Sequence, residues 1–252
     1  MKRNVPQEIE SLKALQEFTS ARIAIGRVGT SIPLKQSLEF KLAHAHARDA
    51  VYSELDINNL TDVLKQFDLP VLHLNSRVND RRQYLQRPDL GRRLNDGSLD
   101  LLLDHRPETD IAIILADGLS ATAVNENAVG LLQALIPQLL AAGFKLAPIS
   151  MVEQGRVAIG DDIGHGLNAK LSLVLIGERP GLSSADSLGA YLTYNPKPGL
   201  TDEMRNCISN IRPGGLIYKK AAKKIFYLTS EAFKRKLSGV DLKDNAGLLE
   251  SH

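Results

Sequence analysis

The sequence predicts an α/β fold, an open and mostly parallel sheet with a helical N-terminal portion. Two observations carry this reading. From Asp110 onward, short apolar runs rich in β-branched residues alternate with turn signals and one long apolar helix, the rhythm of strands joined by crossovers. Within them, Ile111-Ala112-Ile113-Ile114-Leu115 has no polar alternation, as expected of a strand covered on both faces.

The elements follow in order. Ile9, Leu12 and Leu15 repeat at three-residue spacing and suggest a short helix over Glu8–Phe18. Leu34, Leu38, Leu42 and Ala45 form one stripe of a predicted helix over Leu34–Ala50, and a further helix is expected over Asn59–Phe67. The first third therefore reads as mainly helical, with a boundary near Pro107. After the strand Ile111–Leu115, Ser120 can cap a helix that runs through Asn125 to Ala142 and ends at Gly143. Lys145–Val152, Leu171–Ile176 and Ala190–Tyr194 read as further strands. Gly215–Leu237 reads as an amphipathic helix, with Ala222, Phe226, Phe233 and Leu237 on one side and Lys219, Lys220, Lys223, Lys224 and Lys234 largely on the other.

Composition narrows the function. The 252 residues carry 31 basic and 29 acidic side chains, a formal charge of +2, and 43% are hydrophobic. These values exclude fibrous and disordered classes and argue against nucleic acid as a partner. Six Tyr, six Phe and no Trp are few for a protein that stacks bases. The single cysteine, Cys207, rules out an internal disulfide and suggests a reducing compartment. No signal peptide is visible behind Met1-Lys2-Arg3, and no run approaches the ~18 apolar residues of a membrane span. A soluble intracellular protein without membrane partners is expected.

Open α/β sheets bind ligands beyond the carboxyl ends of their strands. Three predicted strand exits qualify: Ala116-Asp117-Gly118-Leu119-Ser120, Glu153-Gln154-Gly155-Arg156-Val157 and Gly177-Glu178-Arg179-Pro180-Gly181. Each joins small residues, which let a ligand approach the backbone, to a polar side chain. Asp117 and Gly118 are candidates on this ground. Ten of the nineteen glycines lie between Gly155 and Gly215, so tight turns cluster late.

Familiar motifs fail on inspection. Gly164-His165-Gly166-Leu167-Asn168-Ala169 fits a dinucleotide fingerprint, but the strand at Leu171 leaves no room for the helix that must follow. Gly155 to Gly160 has P-loop spacing, with Asp161 and Asp162 where lysine and a hydroxyl are needed. Asp117–Ser120 resembles a nucleophile elbow with Thr122 crowding the turn. A self-sufficient hydrolase or transferase using that loop is the rival reading. His44 and His46 point roughly 200° apart around a helix and cannot share a metal. The six arginines between Arg77 and Arg93, interleaved with Asp80 and Asp89, read as a solvated or inter-subunit charged face. A lone cysteine such as Cys207 is usually a small hydrophobe.

Taken together, several segments resemble one family. They are Ala21–Gly29, Leu42-Ala43-His44-Ala45-His46-Ala47-Arg48-Asp49-Ala50, Tyr84-Leu85-Gln86-Arg87-Pro88-Asp89-Leu90-Gly91-Arg92-Arg93-Leu94, Ala116–Ala121, Leu175-Ile176-Gly177-Glu178-Arg179-Pro180-Gly181-Leu182-Ser183-Ser184 and Arg205-Asn206-Cys207-Ile208-Ser209-Asn210. In this order and spacing, from about Phe18 to about Lys243, they resemble the small (light) chain of the adenosylcobalamin-dependent ethanolamine ammonia-lyase.

The resemblance implies a Rossmann-like cobalamin-binding domain over 107–252, after a helical portion over 1–106. It implies a large TIM-barrel chain that holds ethanolamine, with this chain set against the lower face of the corrin in a higher-order hetero-oligomer. It implies conversion of ethanolamine to acetaldehyde and ammonia by adenosylcobalamin radical chemistry, the cofactor carrying the hard step. Val157, Glu178 and Cys207 match the family's cobalamin contacts; no catalytic residue and no protein ligand to a metal is implied here. No histidine has Asp two residues before it, so the base-off motif Asp-x-His-x-x-Gly is missing and base-on binding is expected. The resemblance further implies packaging in an ethanolamine-utilisation microcompartment, the stretch ahead of Phe18 being either a short encapsulation signal or part of the fold. Without such a signal the chain would be free in the cytoplasm.

Overall fold

A computed structural model describes residues 14–19, 21–105 and 108–243. Six strands form one mixed sheet: β1 (Val71–Asn75), β2 (Thr109–Ala116), β3 (Ile149–Glu153), β4 (Ala169–Gly177), β5 (Leu188–Tyr194) and β6 (Asn206–Ile211). Their spatial order is β1-β3-β2-β4-β5-β6. The first four are parallel, whereas β5 runs antiparallel to both β4 and β6.

Helices cover both faces. The helix α1 (Leu34–Val51) precedes α2 (Ile57–Leu64), α3 (Arg81–Gln86), α4 (Asp96–Leu103), α5 (Ala121–Ala141), α6 (Ile159–Gly166) and α7 (Tyr218–Arg235). Alternate residues of β2, Ile111, Ile113 and Leu115, pack with Leu131 and Leu135 of α5 and Ile225 of α7. The intervening Ala112, Ile114 and Ala116 pack with Ile159 and Ile163 of α6 and Leu102 of α4. This is why β2 lacks polar alternation. Ser120 caps α5 by accepting from Ala123 N–H at 3.3 Å, and Gly143 follows its end with φ +84°.

Five elements lie beyond the sequence reading. β1 draws part of the supposedly helical first third into the sheet, and β6 adds the far edge. The helices α3, α4 and α6 fill stretches expected as connections. The predicted helix over Glu8–Phe18 falls mostly outside the described residues; its described end is a single 3-10 turn, Leu15–Glu17. Gly164 and Gly166 belong to α6, where a Cβ at either would press into Pro196 or Leu102. Close helix packing, and not phosphate binding, is what these glycines serve.

Candidate functional site

The connections after β2 and β3 leave for opposite faces of the sheet, since α5 packs on one side and α6 on the other. A crevice therefore opens beyond the carboxyl ends of β2, β3 and β4. It is a cleft of about 430 Å³ lined by Tyr84, Gly118, Leu119, Arg156, Val157, Ile176, Gly177, Glu178, Arg179 and Tyr191.

Its floor is rigid because the three exit loops are bonded to one another. Asp117 Oδ1 accepts from Gly118 N–H and Gly155 N–H, both at 2.9 Å, and Oδ2 accepts from Gln154 N–H at 2.9 Å. The Arg81 guanidinium lies 3.5 Å from the same Oδ2. Leu119 N–H donates to the Gly177 carbonyl at 2.9 Å. Gly118 has φ +58°, and any Cβ there would collide with the Gly177 carbonyl and Ile176. Burial outweighs these donors and pushes the Asp117 carboxyl up to about 6. With both oxygens engaged inside the protein, Asp117 builds the floor and does not face a ligand, contrary to its expectation as a contact. Gly118 does line the cleft.

Val157 and Glu178 come together in this cleft. Glu178 Oε2 accepts from Ser187 Oγ at 2.5 Å and from Asn210 N–H at 3.1 Å, so β5 and β6 orient the carboxylate. Cys207 is exposed on β6, one strand beyond the lining. It stands opposite Tyr191 in the β5–β6 register, which joins it to the rim. Desolvation raises the thiol's pKa above its usual range, so it is neutral at pH 7 and no ready nucleophile.

Other side chains were not singled out from sequence. The Tyr84 ring lies under two guanidiniums, Arg156 at 3.9 Å and Arg81 at 4.5 Å from its centroid, and its hydroxyl donates to the Gly155 carbonyl at 3.0 Å. Arg156 and Arg179 stand in the predicted exit loops, and that position was their only signal. Tyr84 opens one of the segments that carry the family resemblance, but nothing local marked it as a site residue, because its helix α3 had not been foreseen. Of the arginine series only Arg81 is drawn inside, where it faces Asp117; Arg77, Arg82, Arg87, Arg92 and Arg93 are exposed, Arg93 reaching buried Asp162 at 2.9 Å and Arg87 pairing with exposed Asp89. The charged face expected there holds for all but Arg81.

Ser120, the rival's nucleophile, is fully buried; its Oγ donates to the Ala185 carbonyl at 2.7 Å while capping α5. Among the described residues, no three His, Cys, Asp or Glu side chains cluster to hold a metal ion. Nor is any described helix long and apolar enough to cross a membrane.

The family model of the ethanolamine ammonia-lyase light chain (EutC) matches residues 9–243. The chain belongs to this family. The ethanolamine ammonia-lyase small subunit of Azotobacter vinelandii (strain DJ / ATCC BAA-1303) is 54% identical over 236 residues, 92% of this chain and 87% of its own length. That of Pseudomonas aeruginosa (strain LESB58) is 52% identical over 236 residues, covering 92% and 86%. That of Pseudomonas putida (strain W619) is 50% identical over 250 residues, covering 98% and 92%. The light-chain family match spans every strand of the sheet and all three exit loops, so the cleft lies wholly within it.

Proposed function

We propose that this chain is the cofactor-covering small subunit of an ethanolamine ammonia-lyase, inactive alone and assembled with a large chain that holds ethanolamine. The observation that carries the reading is the cleft. It brings Val157 and Glu178 together at the sheet's carboxyl edge, with Tyr191 linking it to Cys207. It offers backbone, one carboxylate, two guanidiniums and apolar surface in place of a nucleophile–base pair.

The cleft fits one side of a corrinoid. At about 430 Å³ it is the size of a drug-sized pocket, much smaller than a cobalamin, so a partner chain must supply the other wall. Gly118 leaves bare backbone at the lining, and Val157 with Ile176 supplies apolar contact. Glu178, held through Oε2, presents a carboxylate to the amide fringe of the ring. Adenosylcobalamin, when bound, would supply the radical chemistry through its cobalt–carbon bond. The role of this chain is to orient that group and keep water from its lower side. The exposed apolar stripe of α1, with Leu34, Leu38 and Leu42 each more than half exposed, supports a partner chain as well.

Among the described residues no histidine lines the cleft, which supports base-on binding. Electron paramagnetic resonance of the cobalt in the assembled complex is expected to show a nitrogen donor from the nucleotide base. A protein imidazole signal would contradict this. In the cell we place the complex in an ethanolamine-utilisation microcompartment; fractionation with the shell would support that location, and recovery in the free cytoplasm would contradict it.

A further inference from the structure

Arg156 occupies an unusual electrostatic position. Its guanidinium is half-buried at the cleft lining, held by the Tyr84 ring at 3.9 Å and by donation from Nη2 to the Tyr84 carbonyl at 2.9 Å. Its Nε is a buried donor without an acceptor, which is costly unless a ligand or a small rotation satisfies it. No carboxylate of the described residues lies within ion-pair distance of it, whereas its neighbour Arg81 faces Asp117 at 3.5 Å and donates to the Val51 carbonyl. An aromatic ring and a carbonyl orient Arg156, so its charge is not neutralised inside the protein.

The other charged groups of the lining are Glu178, whose Oε2 is already engaged, and exposed Arg179. Two guanidiniums against one carboxylate leave the cleft positive. A corrin ring with its neutral amides gives such a site nothing to neutralise. The nucleotide tail does, because it contains a phosphodiester, the anion that a guanidinium fork matches best.

We propose that Arg156 is the anion anchor of the cleft and takes the phosphodiester of the corrinoid's nucleotide tail, Tyr84 serving to hold the fork in place. The proposal rests on the reading of the cleft as a cobalamin site. It is tested by comparing two ligands on the cofactor-free complex of this chain with its large chain. One is adenosylcobalamin; the other is a cobinamide, which keeps the ring and its amides but lacks the phosphodiester, ribose and base. Binding is read from the corrinoid absorbance change and by equilibrium dialysis, with the melting temperature of each complex as a folding control.

Arg156→Met, which keeps the apolar stem over Tyr84, is expected to weaken adenosylcobalamin binding by about 10–100-fold while leaving cobinamide binding unchanged. Arg156→Lys keeps the charge without the fork and is expected to give a smaller loss, again confined to adenosylcobalamin. Equal weakening of both ligands would make Arg156 a structural clamp for Tyr84 and overturn the proposal, as would no weakening of either. Should the Met variant fail to assemble, the ratio of the two affinities in the Lys variant decides by the same criterion. A wild-type complex that binds neither corrinoid would instead sink the cobalamin reading, an outcome distinct from the others.

Discussion

Asp117 accepts three backbone hydrogen bonds and faces one guanidinium, yet burial raises its pKa to about 6. The native state therefore binds this proton more tightly than an unfolded chain, in which an aspartate titrates near its ordinary value. Its contribution to stability is fully present below that ordinary value and is lost as pH rises through about 6. The loss amounts to at most about 3 kcal/mol between roughly pH 4 and 6. Asp117→Asn cannot titrate, so its deficit against wild type in urea denaturation is expected to shrink across that window; a deficit independent of pH would contradict the assignment. The sequence marked Asp117 as a strand-exit residue but could not show which way it faces. Its direction depends on Gln154 and Gly155, which come into reach only when β2 and β3 pair side by side.

Among the elements, α1 is the least embedded: of its eighteen residues only Ala50 is buried. Helices in proteins owe most of their stability to packing an apolar face, and the Leu34, Leu38 and Leu42 stripe calls for apolar packing that the described residues do not supply. Leu38→Glu with Leu42→Glu is expected to reduce recovery of the complex with the large chain. The stability of the isolated subunit should change by no more than about 0.5 kcal/mol per site, as for ordinary surface positions. Unchanged assembly would contradict the role given to α1. The periodicity of α1 was plain in the sequence, and so were β2, β4 and the cap at Ser120, because each depends on local spacing. β1 and β6 were not. Val71–Asn75 is five residues with His73 and Asn75 facing outward, and Asn206–Ile211 has only two buried residues, so neither edge strand leaves an apolar run to read.

At the scale of the whole molecule, the chain has a one-sided cleft and, in that cleft, no nucleophile, histidine or metal-binding cluster among the described residues. This lining is the ground for the proposal that the chain orients a cofactor and leaves the turnover of ethanolamine to the assembled complex. Much of the site was legible: the exit loops are contiguous in sequence, and a parallel sheet must bring them to one edge. Tyr84 and the link from Tyr191 to Cys207 were hidden because they depend on α3 and on the antiparallel β5–β6 pair. The central claim is tested most directly by measuring acetaldehyde formation from ethanolamine and adenosylcobalamin with this chain alone, the large chain alone, and both together. The account predicts turnover only when both are present; turnover by this chain alone, or by the large chain equally well without it, would contradict it.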